Sequence, residues 1–239
     1  MNNNLPSYNE LPEVFAINLD SLGAITLTGE EQIKYLQGQV TCDVASLALE
    51  KLLNGAHCNA KGKVFSVFRL FERQGNFLLL QPTSSIEQSL AELKKFGVFA
   101  KVEITQDTEH AYLAIAGQQA AIKMAELFQK VPDNLTPVVH ENNTTLVYIA
   151  GNISRYVIID TAEKITEISA TFDFPSYSDA VWDLLEISAG FPLLSQQYVA
   201  EYVPQMLNLQ AINGISFTKG CYLGQETVAR MQYLGLSSY

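Results

Sequence analysis

Hydrophobic and polar positions follow two periods along this chain, and stretches of each kind alternate from end to end. Apolar runs of about four to eight residues predict strands, whereas apolar positions three or four apart predict amphipathic helices. Strands are predicted at 23–27, 52–56, 64–71, 77–80, 98–104, 111–116, 146–150 and 156–159. Helices are predicted at 29–36, 84–96, 118–130, 165–171 and 178–187. Because the two kinds mix without regular βαβ alternation, the pattern predicts an α+β fold.

Short polar signals mark where the predicted elements begin and turn. Thr28 with Glu31, and Ser84 with Glu87, have the spacing of a capping box at a helix start. The segment 57–63 separates two strands and contains a glycine suited to a positive φ, so it predicts a hairpin. The strands at 146–150 and 156–159 are expected to pair with each other.

Composition bounds the class of protein. The 239 residues suffice for one large or two small domains, and 48% of them are hydrophobic. The chain contains no run of eighteen apolar residues, so a membrane span is not expected. The first ten residues are polar without a basic side chain, unlike a secretory signal or transit peptide. The three cysteines form no CxxC pair, so we expect no metal site, no disulfide framework and a cytoplasmic location.

Charge narrows the choice of ligand. The formal net charge of −10 argues against strong direct nucleic-acid binding, which depends on many lysine–phosphate contacts. Basic residues are nevertheless clustered at 61–69, at 94–101, and at Lys219 with Arg230. Such local clusters on an acidic protein favour a small anionic ligand over a long polyanion.

The stretch Lys219-Gly220-Cys221-Tyr222-Leu223-Gly224-Gln225-Glu226, called the cysteine motif below, carries the clearest chemistry. A lysine beside a cysteine favours the thiolate, which is the reactive form. The structural alternative is a buried, inert cysteine in a tight turn. A catalytic Cys/His pair would require His57, His110 or His140 nearby, and the sequence leaves this open. Cys42 and Cys58 are expected in the core.

Other candidate residues have equally plain structural alternatives. Trp182, the only tryptophan, is either a core anchor or a stacking surface for a planar ligand. The carboxylates of Asp43, Glu186 and Glu226 are either acid–base groups or solvated charges at element ends. The turn Lys61-Gly62-Lys63 is either a solvated hairpin tip or an anion-binding element.

Several of these segments together resemble a known family. The matching segments are 35–43, 56–63, 93–96, 98–102, 203–205, 208–210 and 214–226. Their order and spacing are similar to those of the YgfZ-type folate-binding proteins, relatives of the glycine-cleavage T-protein aminomethyltransferase. The resemblance runs from Leu22 to Arg230, and the cysteine motif is specific to the YgfZ-like branch.

The resemblance implies a T-protein-like fold with ferredoxin-like subdomains arranged in a ring around tetrahydrofolate. It divides the chain into an N-terminal part at 1–108, a middle ferredoxin-like subdomain at 109–175 and a return segment at 176–239. The family continues into a small β-barrel, which is expected to be absent here and to leave the ring incomplete.

The implied function is support of iron–sulfur cluster assembly or repair. Through an iron–sulfur client, a tRNA methylthiolating enzyme, it implies an effect on tRNA modification. We expect a monomer, and whether the protein is itself an enzyme stays open. The alternative is a folate-dependent aminomethyl or one-carbon transferase.

The resemblance also assigns residues to roles. Cys221 matches an essential cysteine, Lys219 is its expected activating neighbour, and Asp43 is the carboxylate that a transferase would need. Trp182 matches a folate-contacting tryptophan. The other residues expected at the cofactor are Lys61, Lys63, Tyr222, Gln225, Glu226 and Arg230, the basic ones drawing the glutamate tail of the folate. Three positions depart from the family pattern: Leu22 replaces a second tryptophan, Asn59 an aspartate and Ser188 a glutamate.

Overall fold

The computed structural model describes residues 6–49 and 51–234, which fold into two compact units. Residues up to 22 and 108–189 form the first unit, and residues 23–107 with those from 190 onward form the second. The chain passes from the second unit to the first between Asp107 and Thr108, and the division into three parts stays a prediction. The predicted segments 1–108 and 176–239 are each divided between the units, because strands near residues 15 and 176 pair in one sheet.

Strands and helices are interspersed along the described residues. The strands are β1 (Phe15–Asn18), β2 (Leu22–Thr28), β3 (Leu53–Cys58), β4 (Val64–Arg73), β5 (Asn76–Pro82), β6 (Glu103–Gln106), β7 (Ala111–Ala116), β8 (Val138–Glu141), β9 (Thr144–Ile149), β10 (Arg155–Asp160) and β11 (Ser176–Tyr177). The helices are α1 (Gln32–Gln37), α2 (Thr83–Gly97), α3 (Ala120–Leu127), α4 (Ala162–Ser169), α5 (Asp179–Ser188) and α6 (Gln225–Leu234), with short 3₁₀ turns between them. None of these helices is both long and apolar enough to cross a membrane.

The first unit is built on a six-stranded sheet in the order β11-β1-β7-β10-β9-β8. Strand β10 runs antiparallel to both β7 and β9, as predicted for the pair at 146–150 and 156–159, while β11 is parallel to β1. Apolar side chains of the sheet such as Ile115 and Tyr156 pack in one cluster with Met124 of α3 and Ile168 of α4. The amphipathic faces of the two helices therefore complete this core.

The second unit is built on a five-stranded sheet in the order β3-β4-β5-β2-β6. Hydrophobic clusters of described residues pack against it on helical and loop segments. One contains Ile86 and Leu93 of α2, and another contains Phe191, Leu209 and Val228 from the segments after residue 190. The second cluster brings the chain around the cysteine motif onto the sheet.

Local sequence signals located most elements but misplaced some ends. Neither predicted capping box forms: α1 begins after Glu31, whose carboxylate accepts hydrogen bonds from Lys34 and from the backbone of Lys101. Helix α2 begins at Thr83, one residue before the predicted cap. The strand predicted at 98–104 is wrong in its first half, because the chain turns at Ala100. The pattern also missed β1, β8, β11 and α6.

Candidate functional site

The cysteine motif lies in the second unit, on the loop that leads into α6. Cys221 is exposed, whereas Cys42 and Cys58 are buried, which confirms the core placement expected for those two. Burial raises the pKa of the Cys42 thiol to about 12 and raises that of Cys58 as well. Cys221 is therefore the thiol that solvent and small molecules reach.

The motif is in close backbone contact with the hairpin between β3 and β4. Gly62 at the hairpin tip and Gly224 in the motif both have positive φ, +72° and +83°. A Cβ atom at Gly224 would lie 2.4 Å from the carbonyl oxygen of Asn59 and 2.8 Å from the Cα of Gly62. The positive φ predicted at Gly62 is confirmed, and the two glycines are required because any side chain would separate the tip from the motif. Gly220 has no such role, since a Cβ there would meet nothing within 4 Å.

Asn59 shapes this hairpin tip. Its Oδ1 atom accepts hydrogen bonds from the backbone N–H groups of Lys61 and Lys63, at 2.9 and 3.0 Å. An aspartate would make the turn through the same oxygen. The departure at residue 59 therefore leaves the turn intact and removes one negative charge beside two lysines.

Six hydrogen bonds join the segment 214–223 to the segment 37–42. Thr41 contributes two: its hydroxyl donates to the carbonyl of Gly214 at 2.6 Å, and its carbonyl accepts from the N–H of Ser216 at 2.9 Å. The N–H of Leu223 donates to the carbonyl of Gly38 at 3.0 Å. Lys219 makes the remaining three. The loop that presents Cys221 is thus held on both sides of the cysteine.

Lys219 is anchored in the backbone of the neighbouring loop. Its Nζ donates to the carbonyl oxygens of Gln37, Val40 and Cys42 at 2.6, 2.8 and 2.8 Å. Burial lowers the pKa of Lys219 to about 8, partly offset by Cys42 and by the negative charge of Asp43. An ammonium group has three N–H donors, so none remains for a hydrogen bond to the Cys221 thiol. Activation of the thiol by Lys219 would have to act through charge alone, and it stays a prediction.

Asp43 lies beside this anchor. Its Oδ1 accepts a hydrogen bond of 2.7 Å from the side-chain amide of Gln37, whose own Oε1 accepts from the N–H of Ala45 at 3.2 Å. Sequence reasoning singled out Asp43 but missed Gln37 and Thr41. Both lie in the resembling segment 35–43, which was the available signal.

The rest of the motif closes the loop onto α6. Tyr222 is buried, and the pKa of its hydroxyl is raised by burial. Its N–H donates to the side-chain oxygen of Gln225 at 3.3 Å, while the N–H of Gln225 donates to the carbonyl of Tyr222 at 3.1 Å. These two residues form the turn before the helix.

Lys61, Glu226 and Arg230 lie at the surface of this region, and Lys63 is half-buried. Lys61 is exposed, and Arg230 forms an exposed ion pair of 3.0 Å with Glu226 one helical turn away. The ammonium of Lys63 donates to the carbonyl of Glu201 at 2.8 Å. Lys61 and Arg230 therefore present charge to solvent, whereas Lys63 also supports the backbone.

Trp182 lies in the first unit, on α5. It is only 2% exposed, and the guanidinium of Arg155 lies 5.0 Å from its ring centroid. Arg155 also forms a buried ion pair with Glu186. The expectation that Trp182 offers a stacking face is corrected here, because a buried indole has no free face in this structure. Glu186 is likewise committed to Arg155 and not solvated.

Three further positions noted in the sequence, His57, Ser188 and Leu22, have structural roles. His57 is fully buried, its Nδ1 lies 2.9 Å from the hydroxyl of Ser89, and burial lowers its pKa to about 3. The hydroxyl of Ser188, at the end of α5, donates to the carbonyl of Leu185 at 2.9 Å. Leu22 begins β2 and is buried.

Comparison with known proteins finds sequence relatives that carry the same name and a solved structure with the same fold. No family model matches the chain. The tRNA-modifying protein YgfZ of Colwellia psychrerythraea is 62% identical over 231 residues, which cover 97% of this chain and 71% of that protein. The protein of the same name from Yersinia enterocolitica is 40% identical over 229 residues, covering 95% and 69%.

Among solved structures, the glycine cleavage system aminomethyltransferase T from Bartonella henselae superposes with a TM-score of 0.73 at 14% identity. The match covers 92% of this chain and 63% of that one. At this identity the match shows the fold alone. It confirms the predicted α+β, T-protein-like fold.

Proposed function

Since the chain belongs to the YgfZ family of tRNA-modifying proteins, we propose that it supports tRNA modification as a tetrahydrofolate-binding accessory protein of iron–sulfur enzymes. Cys221 is the proposed reactive group. The observation that carries this proposal is the contrast among the cysteines: Cys221 alone of the three is exposed, on a loop fixed by hydrogen bonds on both sides. A fixed and accessible thiol is better suited to reacting with a sulfur or iron species than to filling space in a core.

The charges around the motif support an anionic small ligand. The carboxylates of a folate tail would be drawn to Lys61 and Arg230, which lie at the surface of the second unit. Arg230 would have to leave Glu226, and an exposed ion pair of this kind opposes that only weakly. Lys63, Tyr222 and Gln225 shape the backbone on which these groups stand. Tetrahydrofolate would supply a carrier for one-carbon units.

The pterin end of the ligand fits less well. Stacking on Trp182 requires an exposed indole face, and the residue is 2% exposed with Arg155 against it. We therefore assign the described basic residues to the folate tail and no stacking contact to Trp182. The client enzymes, among them a tRNA methylthiolating enzyme, stay part of the proposal.

Titration with tetrahydrofolate tests the binding claim. Isothermal titration calorimetry measures this binding directly. We expect a saturable heat of binding in the wild type, weaker binding in Lys61→Met, and unchanged binding in Lys34→Met, whose side chain is 83% exposed and paired with Glu31. No heat of binding up to about 1 mM ligand would refute folate binding.

Complementation tests the thiol. In cells that lack their own copy of this protein and therefore have low activity of an iron–sulfur tRNA-modifying enzyme, the wild type should restore the modification. Cys221→Ala and Cys221→Ser should both fail to restore it at normal protein levels. Full rescue by Cys221→Ala would instead indicate a scaffold that needs no thiol chemistry.

A second function is favoured by one observation, the orientation of Asp43 by Gln37. A one-carbon or aminomethyl transferase needs a carboxylate beside the folate nitrogen to move a proton. Transfer assayed with purified protein separates the two functions. Loss with Asp43→Asn but not with Cys221→Ala would favour the transferase.

A further inference from the structure

Lys219 joins the cysteine motif to the neighbouring segment 37–42 through hydrogen bonds. The residue is 8% exposed, and its three N–H donors are directed to three carbonyl oxygens of the segment 37–42. The shortest of these bonds, 2.6 Å, goes to Gln37, the last residue of α1. A cation is favourable there because the final carbonyls of a helix lack intrahelical partners.

Gln37 connects this cation to a carboxylate. Its main-chain carbonyl is bound by Lys219, while its side-chain amide donates to Asp43 at 2.7 Å. The oxygen of the same amide group accepts from the N–H of Ala45. Gln37 is therefore held at its backbone by the motif and at its side-chain oxygen by Ala45, and its amide nitrogen orients Asp43.

We propose that Lys219 is a positioning residue, which fixes the Asp43 carboxylate through Gln37 and makes no hydrogen bond to the Cys221 thiol. The motif lysine thereby couples the segment that carries the thiol to the segment that carries the carboxylate. Any effect of Lys219 on activity rests on the proposed transferase, in which Asp43 is the catalytic carboxylate.

Removing the ammonium does not detach the motif. The bonds from Thr41 to Gly214 and Ser216, and from Leu223 to Gly38, do not involve Lys219. Lys219→Met keeps an unbranched apolar stem in the same space. This variant should fold with the loop in place but with the backbone of Gln37 released.

Hydrogen exchange and NMR measure that release. In Lys219→Met we expect the Ala45 amide to exchange about tenfold faster and the side-chain amide signals of Gln37 to shift. Gln37→Leu should speed the exchange of Ala45 equally while leaving that of Leu223 unchanged. Lys94→Met, a lysine at the end of α2, is the control and should change neither. Unchanged exchange of Ala45 in Lys219→Met would overturn the proposal.

The thiol gives a second, independent readout. The rate of Cys221 alkylation, measured against pH, should have the same midpoint in Lys219→Met as in the wild type. A rise of the midpoint by about one pH unit or more would show that Lys219 acts on the thiol, and the proposal would fall.

A double-mutant cycle tests the route through Asp43. The transfer activity of Lys219→Met with Asp43→Asn should be no lower than that of Asp43→Asn alone, because both changes disable the same group. If the double variant instead loses activity by the product of the two single losses, Lys219 does not act through Asp43. If the wild type transfers nothing, the transferase fails, while the exchange and alkylation results still decide the positioning role.

Discussion

The Cys221 loop and the surroundings of Trp182 both contain a buried basic side chain, but they differ in what that side chain holds in place. Around Cys221, two glycines and a backbone-bound lysine hold a thiol at the surface. Around Trp182, an arginine and a glutamate are paired and buried with the ring. The first arrangement fixes the backbone and leaves a side chain free to react. The second fixes the side chains themselves, so it stabilises the first unit and offers less to a ligand.

The largest expected effect comes from breaking the buried pair of the first unit. Glu186→Leu leaves the Arg155 guanidinium buried without its carboxylate, which should cost about 3–5 kcal/mol of the free energy of unfolding. Urea denaturation followed by Trp182 fluorescence measures this loss. Glu167→Leu, which removes the partner of an exposed pair with Lys164, is the control and should have no measurable effect. Equal effects of the two changes would mean that the buried pair is not a stabilising element.

Gly224→Ala tests the backbone contact at the cysteine motif. The added Cβ combines a φ of +83° with a 2.4 Å approach to Asn59, so we expect a loss of about 2–3 kcal/mol in stability. Gly75 is a matched control, because its φ is also +83° but nothing lies within 4 Å of the added atom. Gly75→Ala should cost only about 1 kcal/mol. If the two variants unfold at the same urea concentration, the close contact carries no energy.

Acid should weaken the second unit through His57. Burial lowers its pKa from 6.5 to about 3, so the unfolded chain binds a proton that the folded chain does not. This contribution to stability is present above about pH 6.5 and is lost as the pH falls towards 3, at about 1.4 kcal/mol per unit. Between pH 7 and pH 5 the loss should reach about 2 kcal/mol, measured by urea denaturation.

His57→Gln keeps a hydrogen-bonding group near Ser89 and does not titrate in this range. It should show a shallower pH dependence by one proton. A slope identical to that of the wild type would place the acid sensitivity elsewhere.

The smallest effect on stability is expected at Cys221. Cys221→Ala should unfold within about 0.5 kcal/mol of the wild type, since the side chain is exposed. Iodoacetamide should label one thiol per native chain and all three after denaturation, as read by mass spectrometry. Labelling of Cys42 or Cys58 in the native protein would remove the contrast between the two regions.

The sequence pattern predicted an element correctly where its structure depends on residues close to it in the chain. The hairpin at 57–63 followed from two apolar runs around a glycine, and the structure places β3 and β4 there. The capping box at Thr28 failed because Glu31 is taken by Lys34 and by the backbone of Lys101, a residue 70 positions away. No window of sequence contains that competitor.

The α+β class, the core positions of Cys42 and Cys58, and the importance of the motif around Cys221 followed from residue type and periodicity. Periodicity and residue type carry that information, because burial follows hydrophobicity and glycine marks unusual backbone. The contacts of the motif residues became known only from the folded structure. It turned Lys219 from a neighbour of the thiol into an anchor for three carbonyls, and it buried Trp182 against Arg155. Such contacts join residues far apart in the chain, and their geometry exists only once the unit that contains them has folded.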